Sequence, residues 1–290
     1  MSPKNWLAPL ALLTAATVWG VIWYPYRLLE TAGISGSLAS LLTYIIAAIP
    51  VACYCGRVWL RRKQDRGLLV AVALISGWTN LAYVLAVIHG EVMRVLLLFY
   101  LAPLWTVFFA RFILHERINR FGYLVMGLSL AGAYVMLARA GGWPLPTNLA
   151  EWMGLSAGLT FALANVLSRK LREVDIGVRS LWVFIGVVAI TAFPVGVEGE
   201  ALVAVSALDA LHWLILVGVG LLLVLATFAV QYGLANTPAN QAIVILLSEL
   251  LVAAIASRLL AGEVMEAREW LGGALIVAAS LFSGRMHKYD

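Results

Sequence analysis

Ten stretches of apolar sequence follow one another along the chain, near residues 6–29, 35–56, 67–88, 93–113, 121–138, 151–169, 178–196, 209–234, 239–260 and 269–284. A bilayer core of about 30 Å takes roughly 20 helical residues per crossing, which is the length of these stretches. The connections between them are short, and none has the composition of a soluble domain. Of 290 residues, 63% are hydrophobic and 12% charged, and mean hydropathy is +0.94. Soluble domains run at about half apolar and a quarter charged, so a soluble enzyme and a disordered chain are both excluded. The sequence predicts an all-α integral membrane protein with ten transmembrane helices.

The net charge of +5 does not indicate nucleic acid, because the basic residues lie between the spans and form no stripe. It indicates orientation instead. With a cytoplasmic N-terminus, fifteen of the twenty Lys and Arg residues fall on the inner side, and only Arg27, Arg94, Arg139, Arg258 and Arg268 fall on the outer side. The positive-inside rule then puts both termini in the cytoplasm of a bacterial-type inner membrane. The first span carries Trp6, Pro9, Trp19 and Trp23 and lacks a small-residue cleavage pattern, so it is expected to be retained. Cys53 and Cys55 lie two apart within a span and are expected to be buried thiols, with neither a disulfide nor a metal between them.

The chain also repeats itself. Leu114-His115-Glu116-Arg117 precedes the fifth span, and Ala261-Gly262-Glu263-Val264 precedes the tenth. Aligning Glu116 with Glu263 places Ala131-Gly132 on Ala278-Ala279. Further upstream, Tyr83-Val84-Leu85-Ala86 matches Tyr232-Gly233-Leu234-Ala235, and Trp19-Gly20 with Arg27 matches Phe161-Ala162 with Arg169. Each half, 1–143 and 144–290, thus holds five spans. Five is odd, so the halves cross the membrane in opposite senses, the inverted repeat common among secondary transporters.

This order of motifs resembles the drug/metabolite transporter (DMT) superfamily, in particular its EamA-type ten-helix members. The resemblance rests on Trp19-Gly20, Pro103 with Leu114-His115-Glu116-Arg117, Ser168-Arg169-Lys170, and Gly262-Glu263 with Gly272. Within the superfamily, Tyr83 and Tyr100-Leu101-Ala102-Pro103 are similar to the aromatic amino-acid exporters. Ala102 departs from their usual Tyr-Leu-Trp-Pro, and Leu250 stands where proline commonly follows the span-nine glutamate. The resemblance implies a basket of helices with spans 1, 3, 4, 6, 8 and 9 around a central cavity.

Polar and aromatic side chains inside the spans are the candidates for that cavity, since an unpaired polar group in hydrocarbon costs several kcal/mol. Ser76, Thr79, Asn80 and Tyr83 share one helical face in span three, and Phe161, Asn165 and Ser168 do so in span six. Trp19, Trp78, Thr79, Asn80, Tyr83, Tyr100, Phe161, Asn165, Gln231 and Ser248 form the expected substrate-binding set. Interhelical bonding is the competing role for the small polar ones. Glu249 is the acidic residue nearest the middle of a span, a position that calls for either a coupling or a structural role. Pro25 and Pro103 are the expected hinges.

No histidine pair has zinc spacing, no Ser or Cys has a base within a span, and there is no phosphate-binding loop. The expectation is therefore no enzyme, no catalytic residue, no metal and no cofactor. The chain is expected to work as a monomer, with membrane lipid and small metabolites as its partners and no nucleic acid. The expected activity is export of amino acids, aromatic ones included, and related metabolites by alternating access. Export of cationic aromatic drugs stands second, a nucleotide-sugar exchanger third, and a non-transporting scaffold last.

Overall fold

The computed structural model describes residues 6–55, 66–89, 95, 98–137, 146, 148–198, 205–206, 208–261 and 267–282. Among these, every regular element is helical. Eight helices correspond to the first eight spans: α1 (Leu7–Thr31), α2 (Gly36–Cys55), α3 (Arg66–His89), α4 (Ala102–Phe109), α5 (Arg120–Leu137), α6 (Leu149–Lys170), α7 (Ile176–Glu198) and α8 (Ala210–Asn236). Span nine is split into α9 (Ala239–Leu246) and α10 (Glu249–Ala261), and α11 (Ala267–Phe282) is the tenth. By length and hydropathy, Leu7–Thr31, Gly36–Cys55, Arg66–Ala86, Ile176–Val197, Ala210–Asn236 and Ala239–Leu260 each suffice to cross a membrane. Large apolar side chains such as Phe193, Leu214, Leu259 and Leu281 point outward. Lipid is as apolar as a leucine core, so such exposure carries no penalty in a bilayer.

The helix packing obeys the repeat. Advancing every span by five converts the α3–α6 contact into α8–α1, and α3–α7 into α8–α2. The same operation converts α1 against span nine into α6 against α4, and it leaves α2–α7, α4–α9 and α5–α11 paired with themselves. An inverted repeat about an axis in the membrane plane produces this pattern. With no hydrophobic drive between helices in lipid, close backbone approach stabilises such contacts. At the α3–α7 crossing a Cβ on Gly186 would lie 1.9 Å from the Ala73 carbonyl oxygen.

Both inner helices of the self-paired set are broken at equivalent places. Leu98 and Phe99 are helical, Tyr100 and Leu101 form a turn, and α4 starts at Ala102. In span nine the turn is Leu247-Ser248, the same distance before Glu263 as Tyr100-Leu101 is before Glu116. The tightened hydrogen bonds match too: Leu101 N to Leu98 O at 3.3 Å and Ser248 N to Ile245 O at 3.0 Å. Pro103 lies in the first turn of α4, where its missing N–H forfeits nothing. Pro25 is carried inside α1 without ending it.

One expectation about the thiols is corrected. Cys55 is buried, but Cys53 is exposed, because residues two apart on a helix point to nearly opposite sides. Glu263, Trp59, Trp143 and the basic run Arg57–Lys63 lie outside the described residues.

Candidate functional site

The two breaks face each other through α1 and α6. A Cβ on Gly158 of α6 would sit 2.4 Å from the Phe99 carbonyl oxygen, and one on Gly20 of α1 would sit 2.9 Å from that of Glu249. The broken helices therefore lie backbone-close to the first helix of the second repeat and the first helix of the first repeat, respectively. Around these junctions five rings form a connected wall. Trp19 meets Phe161 edge-on at 5.8 Å between centroids, Phe161 meets Phe99 at 5.3 Å, and Phe99 meets Tyr83 at 5.2 Å and Tyr100 at 5.4 Å. The Phe99–Phe161 pair is tilted and the others are edge-to-face, and such aromatic pairs are each worth about 0.5–1.5 kcal/mol beyond area burial.

Glu249, the first residue of α10, points into this wall. Its carboxylate lies beside the Tyr100 hydroxyl in the same lining, and Tyr83 is within reach of its charge. A cavity lined by Phe99, Tyr100, Ala102, Pro103, Phe161, Ile243, Leu246, Leu247 and Glu249 opens here. Its free volume for water is about 10 Å³, room for about one molecule. The space is too small for a metabolite.

The structure thus brings Trp19, Tyr83, Tyr100, Phe161 and Glu249 together, with Ser248 in the adjoining turn and Pro103 in the lining. Phe99 is the hub of the rings, and the sequence reading passed over it. Its place beside Tyr100 is the sequence signal that could have found it.

Other members of the expected set lie elsewhere. Trp78 Nε1 donates to Ser156 Oγ at 3.3 Å, and Thr79 Oγ1 to Thr160 Oγ1 at 2.9 Å, both bonding α3 to α6. Asn80 Nδ2 reaches the Tyr44 hydroxyl on α2 at 3.4 Å. Gln231 is gripped by Arg179, which is 1% exposed. The Arg179 guanidinium donates to Gln231 Oε1 (2.9 Å), Gln231 O (3.1 Å), Ser168 O (3.1 Å) and Val174 O (3.2 Å). This buried cation joins the ends of α6 and α8 to the start of α7, a role that its place at the start of span seven did not suggest.

Asn165 sits one turn from Phe161 on α6. Its Nδ2 has no partner among the described residues, and neither do Thr106 Oγ1 or either polar atom of the Asn240 side chain. Each such orphan costs about 1–3 kcal/mol.

Beyond Asn165, at the end of α6, Arg169 donates to the carbonyls of Leu234, at 3.1 Å, and of Ala235. Its Nε lies 3.7 Å from Glu116 Oε1. Glu116 Oε2 accepts the first N–H of α9, from Ala239, at 3.1 Å. The local cause is the end of span four: a π-turn over Ala110–Leu114 closes with His115 in the left-handed region at φ 58°, which turns the chain back. A side chain there costs roughly 1–2 kcal/mol, so the surrounding contacts hold it.

Two sets of apolar helices related by the same packing pattern, with their broken members meeting at an aromatic cavity, are in keeping with a transporter, and sequence comparison agrees. The model of the EamA-like transporter family matches residues 6–138 and again 148–285. The chain belongs to the EamA-like transporter family. Among relatives of this EamA-like transporter, an "uncharacterized transporter" of Archaeoglobus fulgidus is 27% identical over 231 residues, 77% of this chain and 78% of that one. A Streptomyces exfoliatus protein, "Protein RarD", is 25% identical over 228 residues, 75% of this chain and 68% of that one. A solved crystal structure shares the fold across 97% of this chain and 99% of its own length, with a TM-score of 0.74 at 17% identity. This EamA-like protein is accordingly a multi-pass membrane transporter of the DMT superfamily, not an enzyme.

Proposed function

We propose that this EamA-like transporter exports amino acids, aromatic ones included, and related small metabolites, binding them at the wall of Trp19, Tyr83, Phe99, Tyr100 and Phe161. The observation that carries the reading is the joining of those five rings beside the Glu249 carboxylate, where two broken helices meet. Aromatic faces suit a planar side chain. The exposed main-chain groups of a broken helix suit a polar head group, as at other midplane transporter sites. The resemblance to the aromatic amino-acid exporter YddG, carried by Tyr83 and Tyr100-Leu101-Ala102-Pro103, favours the same substrates.

On this reading the 1–143 and 144–290 halves rock about the site. Pro25 and Pro103 serve as bending points. The chain acts as a monomer in a bacterial-type inner membrane, with both termini cytoplasmic by the fifteen-to-five distribution of basic residues.

A second reading, export of cationic aromatic drugs, is favoured by one specific observation. Glu249 is the one charged residue among the described lining residues, and a cation against aromatic faces gains roughly 0.5–2 kcal/mol. Proteoliposomes loaded with labelled tryptophan, alanine or tetraphenylphosphonium, with and without a pH gradient, separate the two. Tryptophan flux competed by phenylalanine supports amino-acid export. Flux of tetraphenylphosphonium alone selects the drug reading, and flux of neither removes both.

A further inference from the structure

Below the central cavity, α4, α6 and α9 converge at two successive levels. At the first, Ala102, Ala162 and Ile243 pack together. At the second, Ala110, Val166 and Ala239 do. Thr106 lies one turn after Ala102 on α4 and one turn before Ala110, the first residue of the π-turn, and Asn165 and Asn240 occupy the corresponding stretch of α6 and α9. All three are at least nine-tenths buried. Residues serving as interhelical glue bond across the interface, yet Thr106 Oγ1, Asn165 Nδ2 and both Asn240 side-chain atoms have no partner among the described residues. The next layer outward is Glu116 with Arg169.

We propose that Thr106, Asn165 and Asn240 line the route between the central site and the face where α4, α6 and α8 end, and that Glu116 and Arg169 are the gate that closes it. The layer of three buried, unpartnered polar groups is the closed form of a path that is wet when open. The gate is built to join the two repeats. Glu116 belongs to the first, and it holds the positive end of α9 and the Arg169 guanidinium of the second. Arg169 in turn covers the last carbonyls of α8, the negative end of that helix. Rocking the repeats apart on this face has to break the Glu116 contacts, and no other charged pair stands between that face and the orphaned layer among the described residues. The gate is independent of which substrate the central site takes.

The test measures access. In a background with Cys53→Ala and Cys55→Ala, Thr106→Cys and Asn165→Cys are treated with a charged, membrane-impermeant methanethiosulfonate applied to one face at a time. Arg172→Cys, exposed on the Arg169 face, reports full access from that side. With the gate intact, both cysteines should react slowly. Glu116→Gln keeps an acceptor for the Ala239 N–H but removes the charge. It should raise the rate about tenfold, the factor for a loss of ~1.4 kcal/mol of closing energy, and only from the Arg169 face. Arg169→Met should do the same, and Arg169→Lys should give an intermediate rate. High salt applied to the unmutated gate should also speed labelling, which keeps the test decisive if a gate variant fails to fold. Unchanged rates in folded variants and in high salt, or faster labelling from the opposite face, would overturn the proposal.

Discussion

Span four and span nine break at equivalent turns, but only one of them carries a proline. In span four Pro103 follows Tyr100-Leu101, whereas in span nine the matching position is Leu250, which keeps its N–H and donates it to Leu247 O at 3.1 Å. The break is the same and the local sequence is not. Proline therefore is not its cause. What the two sites share is a glycine on the first helix of a repeat pressed against the turn, Gly158 at Phe99 and Gly20 at Glu249. The chemistry at the turns also differs. Span four supplies rings, Phe99 and Tyr100, and span nine supplies the aliphatic Leu246 and Leu247 with the carboxylate of Glu249.

If close backbone packing sets the breaks, the glycines are the most sensitive positions. Gly158→Ala places a Cβ against a main-chain oxygen that has nowhere to go, and should cost about 3 kcal/mol, the upper end for overpacking. Gly20→Ala meets the Val252 side chain as well as Glu249 O, at 2.8 and 2.9 Å, and should cost less, about 1–2 kcal/mol. Thermal unfolding of the purified protein in detergent measures both. Equal and negligible losses would detach the breaks from the glycines.

Glu249 tests the carboxylate side of the comparison. Glu249→Ala removes the carboxylate beside the Tyr100 hydroxyl and should lower stability by about 1–3 kcal/mol. Glu249→Gln preserves size and hydrogen bonding and should fold normally with gradient-dependent transport retained. Loss of gradient dependence in Glu249→Gln with intact substrate exchange would instead make this carboxylate the coupling group.

On the ring side, Tyr83→Ala and Tyr100→Ala should weaken aromatic-substrate affinity severalfold, since one stacking contact is worth about 0.5–1.5 kcal/mol. Competition of labelled tryptophan flux reads this. Unaltered affinity in both would place the substrate away from these rings.

The proline itself should matter less. Pro103→Ala should leave span four broken and change stability by under ~1 kcal/mol. A large loss in Pro103→Ala would restore the proline as cause.

The smallest effect should come from a contact that is local instead of tertiary. Asp209 caps α8 through the His212 N–H, at 3.0 Å, and that bond holds its carboxyl below the ordinary range. Its contribution is therefore present above the unfolded pKa and is lost as pH falls through the lower folded value. Asp209→Ala should flatten this acid-side slope in detergent melts, in contrast to the cap on α9, which comes from Glu116 in the other repeat.

Membrane class, spans and inverted repeat were legible because they follow from quantities every window of sequence contains: apolar length against bilayer thickness, the odd number of spans per half, and matched motifs around Glu116 and Glu263. Stripes such as Thr79, Asn80 and Tyr83 were legible as faces, but a face does not name its neighbour. Only the tertiary structure turned Trp78 and Thr79 toward α6, tied Gln231 to Arg179, and made Phe99 the centre of the rings. It alone broke span nine at Leu247-Ser248, where nothing in the local residues forbids a helix. Periodicity is a property of one segment, whereas the partner of a side chain and the strain on a turn depend on which backbone approaches from a distant part of the chain.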